Sequence, residues 1–232
     1  MALTNPEPGK EPEFNAWYDQ HHLREVVEYG SGMVRGRRYR LSDEQRPGQE
    51  APPWRYLALY DLECDDVADY HRGPWIVDRP PLVPFQGLVR PDHAAWIYTP
   101  MGPRISRPGR QDDGGDDRAE RPLFLALTNA AAGQDEAFNA WYDQHHLREV
   151  VDRLPGFIAG QRYRLNAHQR PGQPRSPWEY LAVYELERDR GIHQAAAEEM
   201  RRSPMVMPQA GVLDPRHLAW VYAPTGAFQE KA

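Results

Sequence analysis

The chain has 232 residues, 40% hydrophobic and 27% charged, which is enough for one large domain or two of about 100 residues. Its net charge of −6 and isoelectric point near 5.9 argue against a general nucleic-acid-binding protein. The single cysteine, Cys64, excludes an internal disulfide, and no apolar run resembles a signal peptide or a membrane span, so we expect a cytoplasmic protein without a membrane partner.

The first hundred residues alternate between strand and helix signals. MALTN predicts a short strand, and a helix is predicted from about Lys10 to Tyr29. A second strand and the Pro-Gly loop QRPGQ at 45–49 follow. WRYLALYDLE is rich in aromatic and branched residues, as strands are. In DYHRGPW the pair Gly73-Pro74 shortens or breaks a second helix, and HAAWIYTP predicts the last strand.

The second half of the chain repeats this order. Shifted by 124 positions, residues 2–100 align without a gap on residues 126–224, and 48 of the 99 aligned positions are identical. FNAWYDQHHLREVV occurs unchanged at 14–27 and at 138–151. A period of this size indicates a duplicated domain rather than a solenoid.

The repeat sets the predicted elements and boundaries of the second copy. Its signals are a strand in FLALTN from Phe124, a helix from Gln134 to Leu154, a strand in PGFIAGQRYRL from Pro155, the QRPGQ loop at 169–173, a strand in WEYLAVYELE, a helix in HQAAAEEMRRS from His193 and a strand in HLAWVYAP. We predict a first unit at 1–99, a flexible linker rich in Pro, Gly and Asp at 100–122, a second unit at 123–226 and a tail at 227–232.

The order β-α-β-β-α-β predicts an α+β protein built from two ferredoxin-like units. In WRYLALYDL both strand faces carry apolar side chains: Trp54, Tyr56 and Tyr60 on one, Leu57 and Leu59 on the other. Helices cover one face of such a sheet, and the sheet of the other unit would cover the second. We therefore predict an intramolecular pseudo-dimer whose two antiparallel sheets pack into one barrel, and leave open whether two chains associate further.

The helix pattern WYDxxHxxEV, followed by PGF and QRYRL, resembles the EthD-like branch of the dimeric α/β-barrel superfamily. The pattern is carried by Trp17, Tyr18, Asp19, His22, Glu25 and Val26, and again by Trp141, Tyr142, Asp143, His146, Glu149 and Val150. Pro155, Gly156 and Phe157 complete it in the second copy only. The resemblance implies ferredoxin-like units paired into a barrel, with a small, often aromatic ligand between the sheet and the helices of one unit. Relatives include monooxygenases, cyclases, isomerases, decarboxylases and haem enzymes, so the reaction does not follow from the fold.

The repeated helix also holds the candidate catalytic residues. Phe14, Tyr18, His22 and Val26 lie at steps of four along one helical stripe, as do Phe138, Tyr142, His146 and Val150. An imidazole titrates near neutral pH and can take or give a proton, and a tyrosine can donate a hydrogen bond to a substrate oxygen that gains charge.

We therefore take His22, His146, Tyr18 and Tyr142 as catalytic candidates, with Phe14 and Phe138 as candidate substrate contacts. The alternative for His22 is that it bonds a backbone carbonyl or Glu25 and only fills space. The adjacent His21 and His145 are expected at the helix edge.

Further substrate contacts are predicted outside this helix. Arg38 and Arg162 could hold a carboxylate or phenolate, or form salt bridges. Trp54 and Trp178 could form the flat wall of a pocket if they face the helices, or belong to the core.

Tyr70 and His71 occur only in the first copy, so a role for them implies one active site. DRPPLVPF, from Asp78 to Phe85, would then form a lid.

No CxxC or HExxH signature is present, so we predict neither metal nor cofactor. The leading hypothesis is a cofactor-independent enzyme that acts on a small aromatic or polyketide-like molecule by general acid–base catalysis, as a cyclase, isomerase, dehydratase or lyase. The alternatives are a cofactor-free monooxygenase and a non-catalytic small-molecule-binding protein.

Overall fold

A computed structural model describes residues 1–72, 83–109 and 120–231, with 71 and 72 described by their backbone only. The side chain of the predicted contact His71, the pair Gly73-Pro74 and most of the predicted lid lie outside this description. We call residues up to 109 the first half and residues from 120 the second half.

The described elements follow the predicted order in both halves. The first half contains β1 (Ala2–Thr4), α1 (Glu11–Trp17), a π-helical turn (Tyr18–His22), α2 (Leu23–Tyr29), β2 (Met33–Leu41), β3 (Tyr56–Leu62), α3 (Val67–Arg72), β4 (Ala94–Ala95), β5 (Tyr98–Pro100) and β6 (Ile105–Ser106). The second half contains β7 (Leu123–Thr128), α4 (Asp135–Trp141), a π-helical turn (Tyr142–His146), α5 (Leu147–Arg153), β8 (Phe157–Leu165), β9 (Tyr180–Leu186), α6 (Ile192–Arg202), β10 (Leu218–Pro224) and β11 (Gln229–Glu230).

The long first helix differs from a regular α-helix in its middle. In both halves the sequence YDQHH forms a π-helical turn between two seven-residue α-helices. Such a turn inserts one residue into the helical repeat and often lies at a functional site. The side-chain stripe predicted at steps of four residues therefore passes through Tyr18 and His22 with more residues per turn than an α-helix has.

The described strands form one curled, antiparallel sheet in the order β4-β1-β3-β2-β10-β7-β9-β8-β5. The halves join edge to edge through two equivalent pairings: Tyr222 opposite Leu41, and Tyr98 opposite Leu165. The path begins at β4 and ends at β5, which are neighbouring stretches of one chain segment.

The stretches predicted as linker and tail differ in part from that expectation. Ile105 of β6 pairs with Gly160, and Gln229 of β11 pairs with Gly36, again at equivalent positions. Arg104 also forms an ion pair of 2.6 Å with Glu185. The described parts of both stretches therefore extend the sheet.

Three apolar clusters form the core. One lies under the helices of the second half and a smaller one under those of the first. The third lies on the opposite sheet face and combines residues of both halves, among them Leu3, Leu57, Leu125, Leu181 and Trp220. Both sheet faces are thus buried, as the apolar side chains on both faces of β3 predict.

Candidate functional site

His22 ends the π-helical turn of the first half and lies between two aromatic rings. Its imidazole stacks on Trp17, with ring centroids 4.4 Å apart at 18°, and meets the Tyr18 ring edge-on at 4.9 Å. Within the described residues neither imidazole nitrogen has a hydrogen-bond partner. The space-filling alternative, a bond to a backbone carbonyl or to Glu25, is therefore not found there.

Two tyrosine hydroxyls lie beside this imidazole. The Tyr18 and Tyr60 hydroxyls are 3.2 Å apart, so one donates to the other and the acceptor keeps its own proton for a further partner. Burial raises the pKa of Tyr18, and burial together with Tyr18 raises that of Tyr60 well above its usual value. Both hydroxyls stay protonated at neutral pH and act as donors.

These side chains line a partly open cavity of about 1600 Å³. Its wall near the imidazole comprises Trp17, Tyr18, His22, Tyr60, Val83 and Phe85. Ligand pockets in proteins are mostly apolar and carry a few polar groups, and this wall has that character.

The imidazole of His22 is neutral at physiological pH. Burial, and secondly the positive charge of Arg38, lower its pKa from 6.5 to about 4. A neutral imidazole can accept a proton, but it has none to give as a general acid in the resting protein. The predicted acid role of His22 therefore requires that it first acts as a base.

The second half repeats the same constellation. His146 stacks on Trp141 at 4.4 Å and meets Tyr142 edge-on at 4.8 Å, and the Tyr142 and Tyr184 hydroxyls are 3.4 Å apart. Burial and Arg162 lower the pKa of His146 to about 4 as well. None of these side chains lines the cavity described above.

The surroundings of the repeated helix explain this difference. In the second half Leu154, Phe157 and Ile192 are buried in the helix–sheet cluster. The positions equivalent to them in the first half carry the smaller or more flexible residues Gly30, Met33 and Ala68, and Met33 lines the cavity. At these three positions the second half therefore places more apolar side-chain volume against the sheet than the first half does.

The two arginines predicted as substrate contacts lie beneath the helices. Arg38 is 2% exposed, donates to Asp19 and to Asn15 (2.9 Å), and lies 4.2 Å from the centre of the Tyr18 ring. Arg162 is held in the same way by Asp143, Asn139 and Tyr142. Both guanidinium groups thus have protein partners, and neither lines the cavity.

The other predicted contacts are distributed over several places. Phe14 and Phe138 are fully buried in the helix–sheet clusters. Trp54 and Trp178 pack against the cluster shared by both halves, so they do not face the helices. Tyr70 lines the cavity.

Sequence reasoning missed Tyr60 and Tyr184 as partners of the catalytic tyrosines. The sequence did contain a signal. Tyr60 lies on the same strand face as Tyr56, and Tyr184 on the same face as Tyr180, and both faces are turned toward the helices. Val83 and Phe85 belong to the stretch from Asp78 to Phe85 that was predicted as a lid, and both line the cavity.

Neither a metal site nor a membrane span is found among the described residues. No group of three or more His, Cys, Asp or Glu side chains there is arranged to hold a metal ion. No described helix has both the length and the apolar character needed to cross a bilayer.

No protein-family model and no curated protein sequence matches the chain. A solved structure described as an anthrone oxidase-like protein matches with a TM-score of 0.50 and 12% identity, over 99% of this chain and 90% of that one. The chain shares that fold, and its curled antiparallel sheet is consistent with a dimeric α/β barrel. A protein from Fusobacterium nucleatum subsp. nucleatum, provisionally named a monooxygenase, matches with a TM-score of 0.44 and 7% identity, over 100% and 95% of the two chains. The EthD-like branch stays a prediction.

Proposed function

We propose that the protein is a cofactor-independent enzyme that binds a small aromatic molecule in the cavity beside His22 and removes a proton from it with His22. The observation that carries this proposal is the position of His22: a neutral imidazole on the cavity wall, without a hydrogen-bond partner among the described residues and next to a pair of tyrosine hydroxyls. We also propose that the chain folds as two ferredoxin-like units closed into one barrel. The equivalent edge pairings support that arrangement.

The wall supplies what a base-initiated reaction needs. The ring of Trp17 offers an apolar face, and the imidazole of His22 can accept a proton from a phenol or an activated C–H group. The Tyr18–Tyr60 pair can donate to the substrate oxygen on which negative charge develops. Since the pKa of His22 is low, the imidazolium forms only while paired with that anion, and it then returns or releases the proton.

The reaction after deprotonation has two candidates. An isomerase or cyclase would return the proton to the same molecule, and a dehydratase or lyase would pass it to the leaving group. In an oxidase, the deprotonated substrate would react with dioxygen, and the name of the anthrone oxidase-like structure favours this second route as the first to assay.

The test uses a panel of phenolic and hydroxylated polycyclic ketones, followed by chromatography and an oxygen electrode. We expect His22→Ala to lower turnover by about 10² to 10⁴-fold. His146→Ala, the matched variant, should keep nearly full turnover. Turnover that survives His22→Ala refutes the proposal, and anaerobic turnover selects the route without oxygen. Ligand binding by the wild-type protein without any turnover selects a binding protein.

A further inference from the structure

Two side chains of the first helix hold the chain segment that faces it. The indole Nε1 of Trp17 donates to the carbonyl oxygen of Val83 at 3.1 Å. The amide N–H of Val83 donates to Oε1 of Glu25 at 3.2 Å. Both backbone groups of one residue are thus bound by one helix, and we call this pair of bonds the clamp.

The same clamp occurs in the second half. Trp141 Nε1 donates to the carbonyl oxygen of Val206 at 2.7 Å, and the amide of Val206 donates to Glu149 Oε2 at 2.9 Å. The chain around the two held residues differs, since Val83 precedes Pro-Phe and Val206 precedes Met-Pro. The two halves therefore share this pair of hydrogen bonds although the sequence around the held residue differs. This indicates that the helix requires the bonds.

The clamp joins the catalytic candidate to the cavity wall. Trp17 stacks on His22 with one part of its indole and holds Val83 with another. Phe85, two residues further on, packs 6.1 Å from the Trp17 ring, and both Val83 and Phe85 line the cavity. A change in the position of Val83 is thus transmitted to the ring that supports the imidazole.

We propose that Trp17 and Glu25 are positioning residues for His22, which they hold in its stacked, buried orientation by fixing the wall at Val83. The kinetic part of this inference rests on the proposed function. The structural part, the orientation and burial of the imidazole, does not.

The second half provides matched variants for the test. Glu25→Ala removes the acceptor for the Val83 amide, and Glu25→Gln keeps an acceptor there. Glu149→Ala breaks the equivalent clamp away from the cavity. Trp17→Phe keeps an aromatic face for stacking but removes the N–H donor.

The first readout is an NMR titration of the labelled histidines in the full-length protein. Arg38 is the charged group that acts on the imidazole of His22, and it is unchanged in these variants. We expect Glu25→Ala and Trp17→Phe to raise the pKa of His22 from about 4 toward 6.5, because water gains access to the ring. Glu25→Gln should keep the low pKa, and Glu149→Ala should shift His146 only.

The second readout is the kinetics. We expect Glu25→Ala and Trp17→Phe to lower kcat by about 10 to 100-fold with a smaller change in KM, since a displacement of about 1 Å has such effects. Glu149→Ala should leave kcat unchanged. If Glu25→Ala shifts neither the pKa of His22 nor kcat, or lowers kcat without moving that pKa, the inference is wrong. If His22→Ala keeps full turnover, the proposed function fails, but the titration still decides on the clamp.

Discussion

The neutral imidazole of His22 predicts a specific loss of stability in mild acid. Its pKa is about 4 in the folded protein and 6.5 as the ordinary value of the unfolded chain. Below pH 6.5 the unfolded chain takes up a proton that the folded protein does not. Stability is therefore complete above pH 6.5 and is lost as the pH falls toward 4.

The size of the effect follows from the two pKa values. At pH 5 proton linkage costs about 2 kcal/mol for His22, and the full cost below pH 4 is about 3 kcal/mol, since each pKa unit corresponds to about 1.4 kcal/mol. His146 has the same folded pKa of about 4 and should contribute an equal amount. The two sites lie in different halves, so their contributions should add.

Urea unfolding at pH 7 and pH 5 measures this effect in the wild-type protein and in His22→Gln. The glutamine variant lacks the titrating group, and all other ionisable groups cancel in the comparison. We expect the wild type to lose about 2 kcal/mol more than the variant between the two pH values. An equal loss in both proteins would show that the imidazole is hydrated, and would refute the burial on which its role as a neutral base depends.

Three further changes test the environment of the site. Met33→Phe should narrow the cavity beside His22, raise the free energy of unfolding by about 1 kcal/mol and weaken ligand binding, whereas Phe157→Met should lower stability by a similar amount and spare binding; calorimetry and ligand titration check both. Tyr29→Arg should supply Glu25 with an ion-pair partner four residues away and stabilise the protein by about 0.5 kcal/mol, and an unchanged urea midpoint would contradict this. Arg38→Met should cost about 2 kcal/mol of stability and raise the pKa of the neighbouring imidazole, which an NMR titration would detect.

The elements were predictable because their signals are local. The alternation of apolar residues in WRYLALYDL places Tyr56 and Leu57 on opposite faces, and the structure buries both. The proximity of Tyr18 and His22 follows from helical spacing alone. Comparison of the two copies also identified the helix that carries the catalytic candidates.

The π-helical turns could not be predicted, because nothing in YDQHH specifies the longer hydrogen-bond spacing. The strands β6 and β11 were missed for a related reason. Each consists of two residues in a stretch with Gly and Pro, and becomes a strand only because it pairs with β8 or β2. For Arg38 the sequence left a ligand and a salt bridge open, because its partners Asp19 and Asn15 are recognisable only once the helix is docked on the sheet.

Comparison of the two sequence repeats separates the properties that the helix determines from those that its surroundings determine. Stacking on tryptophan, contact with tyrosine and a pKa near 4 occur at both His22 and His146, so the shared sequence is sufficient for them. These properties cannot by themselves distinguish a catalytic histidine from one that only fills space. The cavity lies beside His22 and does not include His146, and it depends on residues outside the repeated helix such as Met33. The position of the imidazole on this cavity, rather than its basicity, is therefore the property on which a difference in activity between the halves would rest.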